Sequence, residues 1–314
     1  MTKMVRRLSF SFDLVGTAFL SILLAASTLC AQVGEPVEVK TLSLGLVSET
    51  HQKEIEEHFR DFVSYVAHKL SSRSEIEAKV VLAPTAIELA KLLEQRKVDF
   101  YMESAYPTYV INIAQRAGKL LLRRWKGGLG DYYSVIFTRA DSGVKRLEDL
   151  KGKTIVFEDP GSTSGYLLPK LFLQRRGLKL TEQGRFGPDT VATEVGYFFA
   201  QSPEKIIDAV LSKQAAAGAF SNDDLSALDG KKKADIALLA QTEWLPRHLL
   251  SVRSDLAPGL VSRLEAILLA MHEDSEGRKI LQKADGTTKF DLLPGGEVAM
   301  RRRLLESFYS PAGK

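Results

Sequence analysis

Cysteine is almost missing from this 314-residue chain: Cys30 stands alone, which excludes an internal disulfide framework and any zinc site built on cysteines. A surplus of one charge is missing as well. The 43 Lys and Arg nearly balance the 39 Asp and Glu, and the basic residues are scattered rather than gathered into the stripe that nucleic-acid binding requires, so no nucleic-acid partner is expected. Internal repeats and low-complexity segments are also absent, which leaves out solenoids and long disordered tracts. An uncharged run approaching the ~20 residues that span a bilayer occurs once, at residues 14–34. The remaining composition, 45% hydrophobic and 26% charged, is that of a globular chain long enough for one large or two medium lobes.

The single apolar run follows Lys3, Arg6 and Arg7 and ends in Ala25, Ala26, Ser27 and Thr28, the layout of a secretory signal peptide. Residues 1–31 are expected to be removed, with cleavage after Ala31 or, as the alternative, after Ser27. An uncleaved membrane anchor is the other reading of the same run. A lipid anchor on Cys30 fits less well, because Ser27 and Leu29 stand where an aliphatic and a small residue are wanted. Arg6-Arg7 matches a twin-arginine signal poorly, given Val5 and Ser9 beside it. Removal takes away three basic residues and one acidic one, Asp13, and leaves a near-neutral exported protein.

Beyond that segment the pattern alternates between periods of 2 and 3.6. Residues 39–47 read as a strand, and residues 51–70 repeat Ile55, Phe59, Phe62, Val63, Val66 and Leu70 at helical spacing, which makes one βα unit. Strands at 77–83 and 98–102 and helices at 86–95 and 107–117 continue it toward a largely parallel sheet. Gly127 to Gly130 breaks the chain, and 132–137 reads as a strand leaving that lobe. A second set follows, with strands at 154–157, 191–195, 215–220, 236–240 and 249–252. Helices are expected at 164–176, at 203–213, from Asp223, and at 258–272 and 297–308, the last two returning to the first lobe. The expected fold is α/β, two lobes with a ligand cleft between them. Lobe 1 comprises 32–131 plus 247–314, and lobe 2, comprising 132–246, is inserted into it.

Asp159-Pro160-Gly161-Ser162-Thr163-Ser164-Gly165-Tyr166 follows a buried strand and opens a helix. Unpaired N–H groups of a first helical turn and three consecutive hydroxyls can converge on one tetrahedral oxyanion. The same Ser162 or Ser164 is equally suited to capping the helix. A nucleotide P-loop is excluded, because no Gly-Lys-Ser/Thr follows the glycine.

The stretch from Asp159 to Pro169 resembles the motif of the periplasmic, phosphonate-binding component of phosphate/phosphite/phosphonate ABC transporters. Leu44-Gly-Leu-Val-Ser-Glu49 is similar to that family's first strand, Val98-Asp-Phe-Tyr-Met-Glu-Ser104 to its third, Tyr132-Tyr-Ser-Val-Ile-Phe137 to its crossing strand, and Ser221-Asn-Asp-Asp-Leu225 to a later ligand loop. The resemblance implies a type II periplasmic-binding-protein fold with crossing strands at a hinge. It also implies a small oxyanion as ligand and an inner-membrane ABC permease as partner. A periplasmic monomer without metal or cofactor is expected. Ser162 and Thr163 match the family's oxygen donors, with Ser164 beside them. Tyr132 matches a tyrosine that closes over the ligand and Thr85 another hydroxyl contact. Tyr101 in the third strand and His248 join the candidate ligand set. By their own patterns, Thr85 after Pro84 is also a helix cap and Tyr132 also an ordinary strand aromatic. Asp223 occupies the place of an acidic residue that faces the amine in aminoalkylphosphonate binders. Pro203 replaces an expected histidine, however, and Arg247-His248 an expected aspartate, so the preference implied is for an anion without an amine.

Other constellations carry less. His51, His58 and His68 lack metal-ligand spacing, and the adjacent pairs Glu56-Glu57 and Asp223-Asp224 point apart on a helix. Ser104 has no Gly-x-Ser-x-Gly context. Lys231-Lys232-Lys233 and Arg301-Arg302-Arg303 read as solvated surface. The expected function is a non-enzymatic solute-binding protein. A sensor reporting the same ligand to a membrane receptor is the alternative, and a lyase of small carboxylated substrates a weaker one, since no general base is evident beside Ser162 to Ser164.

Overall fold

The computed structural model describes residues 40–49, 52–71, 75–183 and 190–309. The expected signal segment, with Cys30, lies outside them. In chain order, β1 (Thr41–Val47), α1 (Gln52–Leu70), β2 (Glu77–Ala83), α2 (Ala86–Glu94) and β3 (Phe100–Glu103) form two βα units and a third strand. A short α3 (Ala105–Tyr109) runs into a π-helical turn, Val110–Ala114, and then β4 (Gly118–Lys126). After β5 (Asp131–Tyr132) come β6 (Ser134–Arg139), β7 (Thr154–Phe157), α4 (Leu168–Gln174), β8 (Leu180–Glu182), β9 (Val195–Phe199) and α5 (Pro203–Leu211). The chain goes on through β10 (Ala217–Ser221), α6 (Asn222–Ala227), α7 (Gly230–Ala234) and β11 (Ile236–Gln241). It ends with β12 (Leu245–Pro246), β13 (His248–Arg253), α8 (Pro258–Ala270), α9 (Ser275–Lys283), β14 (Thr287–Leu292) and α10 (Gly296–Phe308).

The strands make two six-stranded sheets, ordered β14-β4-β13-β3-β1-β2 and β11-β6-β10-β7-β9-β8. The first sheet draws on residues 41–126 and 248–292, the second on 134–241. Between them β5 and β12 pair antiparallel, Tyr132 opposite Leu245 and Asp131 opposite Pro246. The two passages of the chain from one sheet to the other are thereby hydrogen-bonded into one ribbon. This is a two-lobed α/β fold with crossing strands.

Each sheet has its own core. Phe62, Val63 and Val66 on one face of α1 pack with Leu42, Leu44, Phe100 and Leu250, and each such fully buried side chain contributes roughly 1.5–3 kcal/mol. Phe157, Leu173, Val195 and Ala219 hold the second sheet's α4 side. Gly45 has no room for a side chain: a Cβ there would lie 2.5 Å from Leu89 and 2.8 Å from Val98, so β1 and α2 can approach closely.

The sheets are mixed rather than largely parallel. β13, β4 and β14 run antiparallel to their neighbours, as do β6 and β11, because the chain leaves and re-enters each sheet beside its own hinge. The region 107–117, expected as one helix, is α3 followed by a π turn, with β4 after it. The strand expected at 191–195 forms at Val195–Phe199. The last helix also departs from expectation. α10 does not serve the first lobe alone: Met300, Leu304 and Phe308 cluster with Ala105 and Leu249 of one lobe and with Leu168 of the other.

Candidate functional site

The segment after β7 builds the site's floor. Asp159 Oδ1 accepts the Gly161 N–H at 2.7 Å, an Asx turn that reverses the chain. Ser162 then caps the following turn, its Oγ accepting the Gly165 N–H at 2.9 Å. The turn itself, Thr163–Leu167, is π-helical and leads directly into α4. The Ser162 hydroxyl donates to Glu158 Oε2 at 2.7 Å. Gly165 is essential to this arrangement, because a Cβ there would run into the Glu158 side chain and come within 2.9 Å of Ser162 Oγ.

Thr163 is buried and bridges the lobes. Its hydroxyl donates to Ser104 Oγ at 2.9 Å and accepts the Tyr106 N–H at 2.9 Å; both partners lie at the start of α3, after the third strand of the first sheet. Ser164 is held through its carbonyl, which accepts from Ser134 Oγ at 2.6 Å. The Tyr132 phenol is buried, and burial pushes its pKa up against the opposing influence of the Arg247 charge and of the Thr163 and Ser164 side chains.

Arg247 closes the group. Its guanidinium lies over the Tyr132 ring, 4.6 Å from the centroid, and its Nε donates to Asp223 Oδ2 at 2.7 Å. The pair spans the two lobes, with only 14% and 24% of the side chains exposed. Asp223 Oδ1 accepts from Asn222 Nδ2 at 3.2 Å. The aspartate expected to face a ligand amine is therefore already occupied by a cation of this chain.

Burial raises the pKa of three carboxylates along this surface, Glu158, Glu103 and Asp159. Glu158 is pushed up to about 7 by desolvation, with Asp159 and Asp224 adding to the rise and the Ser162 hydrogen bond and Arg247 opposing it. Glu103 is likewise pushed up to about 7 by desolvation, against the backbone N–H groups of Val47 and Ser104. His248 is held well below its usual range by desolvation and by Arg124, Arg247 and Lys126. It is thus neutral, and its buried Nδ1 has no partner among the described residues.

Of the sequence-derived candidates, Ser162, Thr163, Ser164, Tyr132 and Asp223 come together, with His248 adjacent in chain to Arg247. Two make no contact with that group among the described residues. Tyr101 is fully buried in the core of the first lobe, its OH donating to Asn112 Oδ1 at 2.6 Å. Thr85 is an exposed helix cap, accepting the Glu88 N–H at 3.2 Å at the end of edge strand β2. Sequence reasoning passed over Glu158, Ser104 and Arg247 as site residues. Glu158 stands four residues before Ser162, on the doorstep of the motif, and that spacing was the available signal. Among the described residues no cluster of His, Cys, Asp and Glu is arranged to hold a metal.

Two α/β lobes joined by crossing strands, with hydroxyls, a phenol and an arginine gathered between them, define the class of two-lobed solute-binding proteins. The family model of the phosphonate ABC transporter periplasmic substrate-binding protein matches residues 44–293. The chain belongs to that family. Its structure resembles XAC2383 of Xanthomonas citri bound to chloride ion, with a TM-score of 0.78 at 27% identity over 85% of this chain and 95% of the other. It also resembles PhnD1 of Prochlorococcus marinus in complex with methylphosphonate, with a TM-score of 0.63 at 16% identity over 85% and 97%; at that identity the likeness speaks for the fold. The phosphate-import protein PhnD of Mycolicibacterium smegmatis is 35% identical over 80 residues, a quarter of each chain. No helix among the described residues is long and apolar enough to cross a membrane.

Proposed function

We propose that this chain captures a small phosphorus oxyanion lacking an amine, such as phosphate, phosphite or a simple alkylphosphonate, and delivers it to an inner-membrane ABC permease. Lobe 1 (32–131 plus 247–314) and lobe 2 (132–246) would close on the ligand in the periplasm, after removal of residues 1–31, with the protein a monomer. Ser162, Thr163, Ser164 and Tyr132 supply donors to the oxyanion. A desolvated donor left unpaired costs about 1–3 kcal/mol, so the ligand must offer an acceptor to each. Membership of the phosphonate-binding family and the phosphate import of the mycobacterial relative support this ligand class.

The observation that carries the amine-free reading is the Arg247–Asp223 pair at 2.7 Å. A buried ammonium without acceptors is costly, and here Arg247 already fills the acceptor an ammonium would use. A thermal-shift panel tests this. Methylphosphonate, phosphate or phosphite at ~100 times its dissociation constant adds roughly 2.7 kcal/mol, a shift of several degrees at ~2–4 °C per kcal/mol. 2-Aminoethylphosphonate is expected to shift less, and Arg247→Gln to bring it closer to the others. A largest shift from 2-aminoethylphosphonate in the unmodified protein contradicts the amine-free reading; a larger shift from sulfate or a carboxylate contradicts the phosphorus assignment.

A further inference from the structure

The Ser162 hydroxyl has one proton, and it is spent on Glu158 Oε2 at 2.7 Å, while the oxygen's acceptor capacity goes to the Gly165 N–H. In this state Ser162 offers an anion no donor. Glu158 is also locked in place: its N–H donates to the Gly165 carbonyl at 2.9 Å, and its side chain lies where a Cβ on Gly165 would have to go. The charges facing it are Asp159 from its own turn, Asp224 from α6 and Arg247 from the β12–β13 connection, with the Tyr132 phenol on β5 nearby. Arg247 is already paired with Asp223, so an incoming anion meets three carboxylates and no free cation in this set. Like charges at such separations in a partly dry site do not coexist without a proton between them.

Resting on the phosphorus-oxyanion reading above, we infer that Glu158 and the bound oxyanion share one proton, so that the site selects an oxyanion able to carry an acidic O–H and rejects sulfate. A monoanionic ligand meeting an ionised Glu158 donates its own O–H to a Glu158 oxygen with no proton exchanged with water, and one meeting a protonated Glu158 binds with release of one proton. A dianionic ligand meeting an ionised Glu158, the state above about pH 8, binds with uptake of one proton from water, which comes to lie on the Glu158 carboxyl group and is donated to a ligand oxygen. In each case Glu158 ceases to claim the Ser162 proton, and the Ser162 hydroxyl turns to the ligand. No bond to phosphorus forms or breaks. A phosphate monoester has its second dissociation near pH 6 (roughly), so phosphorus oxyanions hold or regain this proton near neutrality, whereas sulfate is fully ionised there. The raised pKa of Glu158 is in keeping with a carboxyl group that accepts a proton in the same range.

The test is calorimetric titration of the whole mature protein with methylphosphonate, phosphate and sulfate, in two buffers of different ionisation enthalpy. At about pH 8.5 the unmodified protein is expected to take up close to one proton per methylphosphonate bound, and its affinity to fall on the order of tenfold per pH unit above that point. Sulfate is expected to bind at least about 100-fold more weakly than phosphate. Glu158→Gln, which keeps size and hydrogen bonding but cannot titrate, is expected to lose the proton uptake and to bring sulfate within about tenfold of phosphate. Absence of proton uptake by the unmodified protein, which needs no variant to fold, overturns the proposal; so does a Glu158→Gln protein that keeps both the uptake and the discrimination. If methylphosphonate and phosphate both fail to bind the unmodified protein, the phosphorus-oxyanion reading falls and this proposal with it, an outcome distinct from binding without proton uptake.

Discussion

At the scale of single residues, carboxylates carry the strain of this site. Glu103 ends β3, where its Oε1 accepts the Val47 N–H at 2.6 Å, and desolvation pushes its pKa up to about 7 from an ordinary value near 4.5. The sign of its effect on stability follows from that direction. Between those values the folded protein binds the proton more strongly than the unfolded chain does. The Glu103 contribution is therefore fully present below about pH 4.5 and is lost as pH rises through about 7, with a slope of at most about 1.4 kcal/mol per pH unit. His248 acts in the opposite sense, since its depressed pKa makes acid destabilising below its ordinary range. Comparison with Glu103→Gln isolates the one from the other: melting temperature against pH is expected to fall less between about pH 5 and 8 in the variant than in the unmodified protein. Parallel curves would show that Glu103 does not titrate in that window.

At the scale of elements, the sequence revealed what local pattern encodes. α1 was legible because Phe59, Phe62, Val63, Val66 and Leu70 repeat on one face, and the structure buries all five. The strand at 77–83 and the one at 154–157 appear with the bounds their β-branched runs implied. β4 was hidden because its alternation is written partly in arginines: Arg124 faces inward and is buried, held by Thr287 Oγ1 at 2.7 Å and the carbonyls of Ala284 and Asp285. Those partners lie about 160 residues away, and no local window contains them. The antiparallel half of each sheet escaped for the same reason. The segment 162–164 was legible as hydroxyls on a turn that opens a helix; its π-helical form and the lobe-bridging role of Thr163 were not, because Thr163 finds its partners Ser104 and Tyr106 far along the chain. Gly165 offers the element-scale prediction. Gly165→Ala drives a methyl group into Glu158 and is expected to cost about 1–3 kcal/mol as overpacking, read as a lower denaturation midpoint with unchanged slope. A variant as stable as the parent would mean that the turn relaxes around the methyl group and that Glu158 is not fixed by it.

At the scale of the whole molecule, the two lobes touch in two kinds of place. Beside the hinge ribbon, α10 shares an apolar cluster with both, and Arg175, the C-cap of α4, donates to the carbonyls of Glu306 and Ser307 at 3.0 and 2.7 Å. Across the cleft, Thr163 reaches Ser104 and Tyr106, and Arg247 reaches Asp223. The first set is an apolar cluster edged by the Arg175 hydrogen bonds. The second set is polar, hydroxyls and one ion pair, and under the proposed function the hydroxyls are the groups that would turn from lobe contact to the ligand while Arg247 stays on Asp223. The measurement that bears most directly on this account is calorimetric titration of methylphosphonate into the unmodified protein and into the Ser162→Ala, Thr163→Val double variant, with the variant's melting temperature recorded first. Thr163→Val leaves the Tyr106 N–H and Ser104 without their partner and is expected to lower stability by about 1–3 kcal/mol without unfolding the protein. Each lost donor to a charged acceptor is worth ~1.5–3 kcal/mol, so the folded variant is expected to bind on the order of 10² to 10⁴ more weakly, if the two losses add. A folded double variant that binds methylphosphonate as tightly as the parent would contradict the account and reduce the motif to a helix cap.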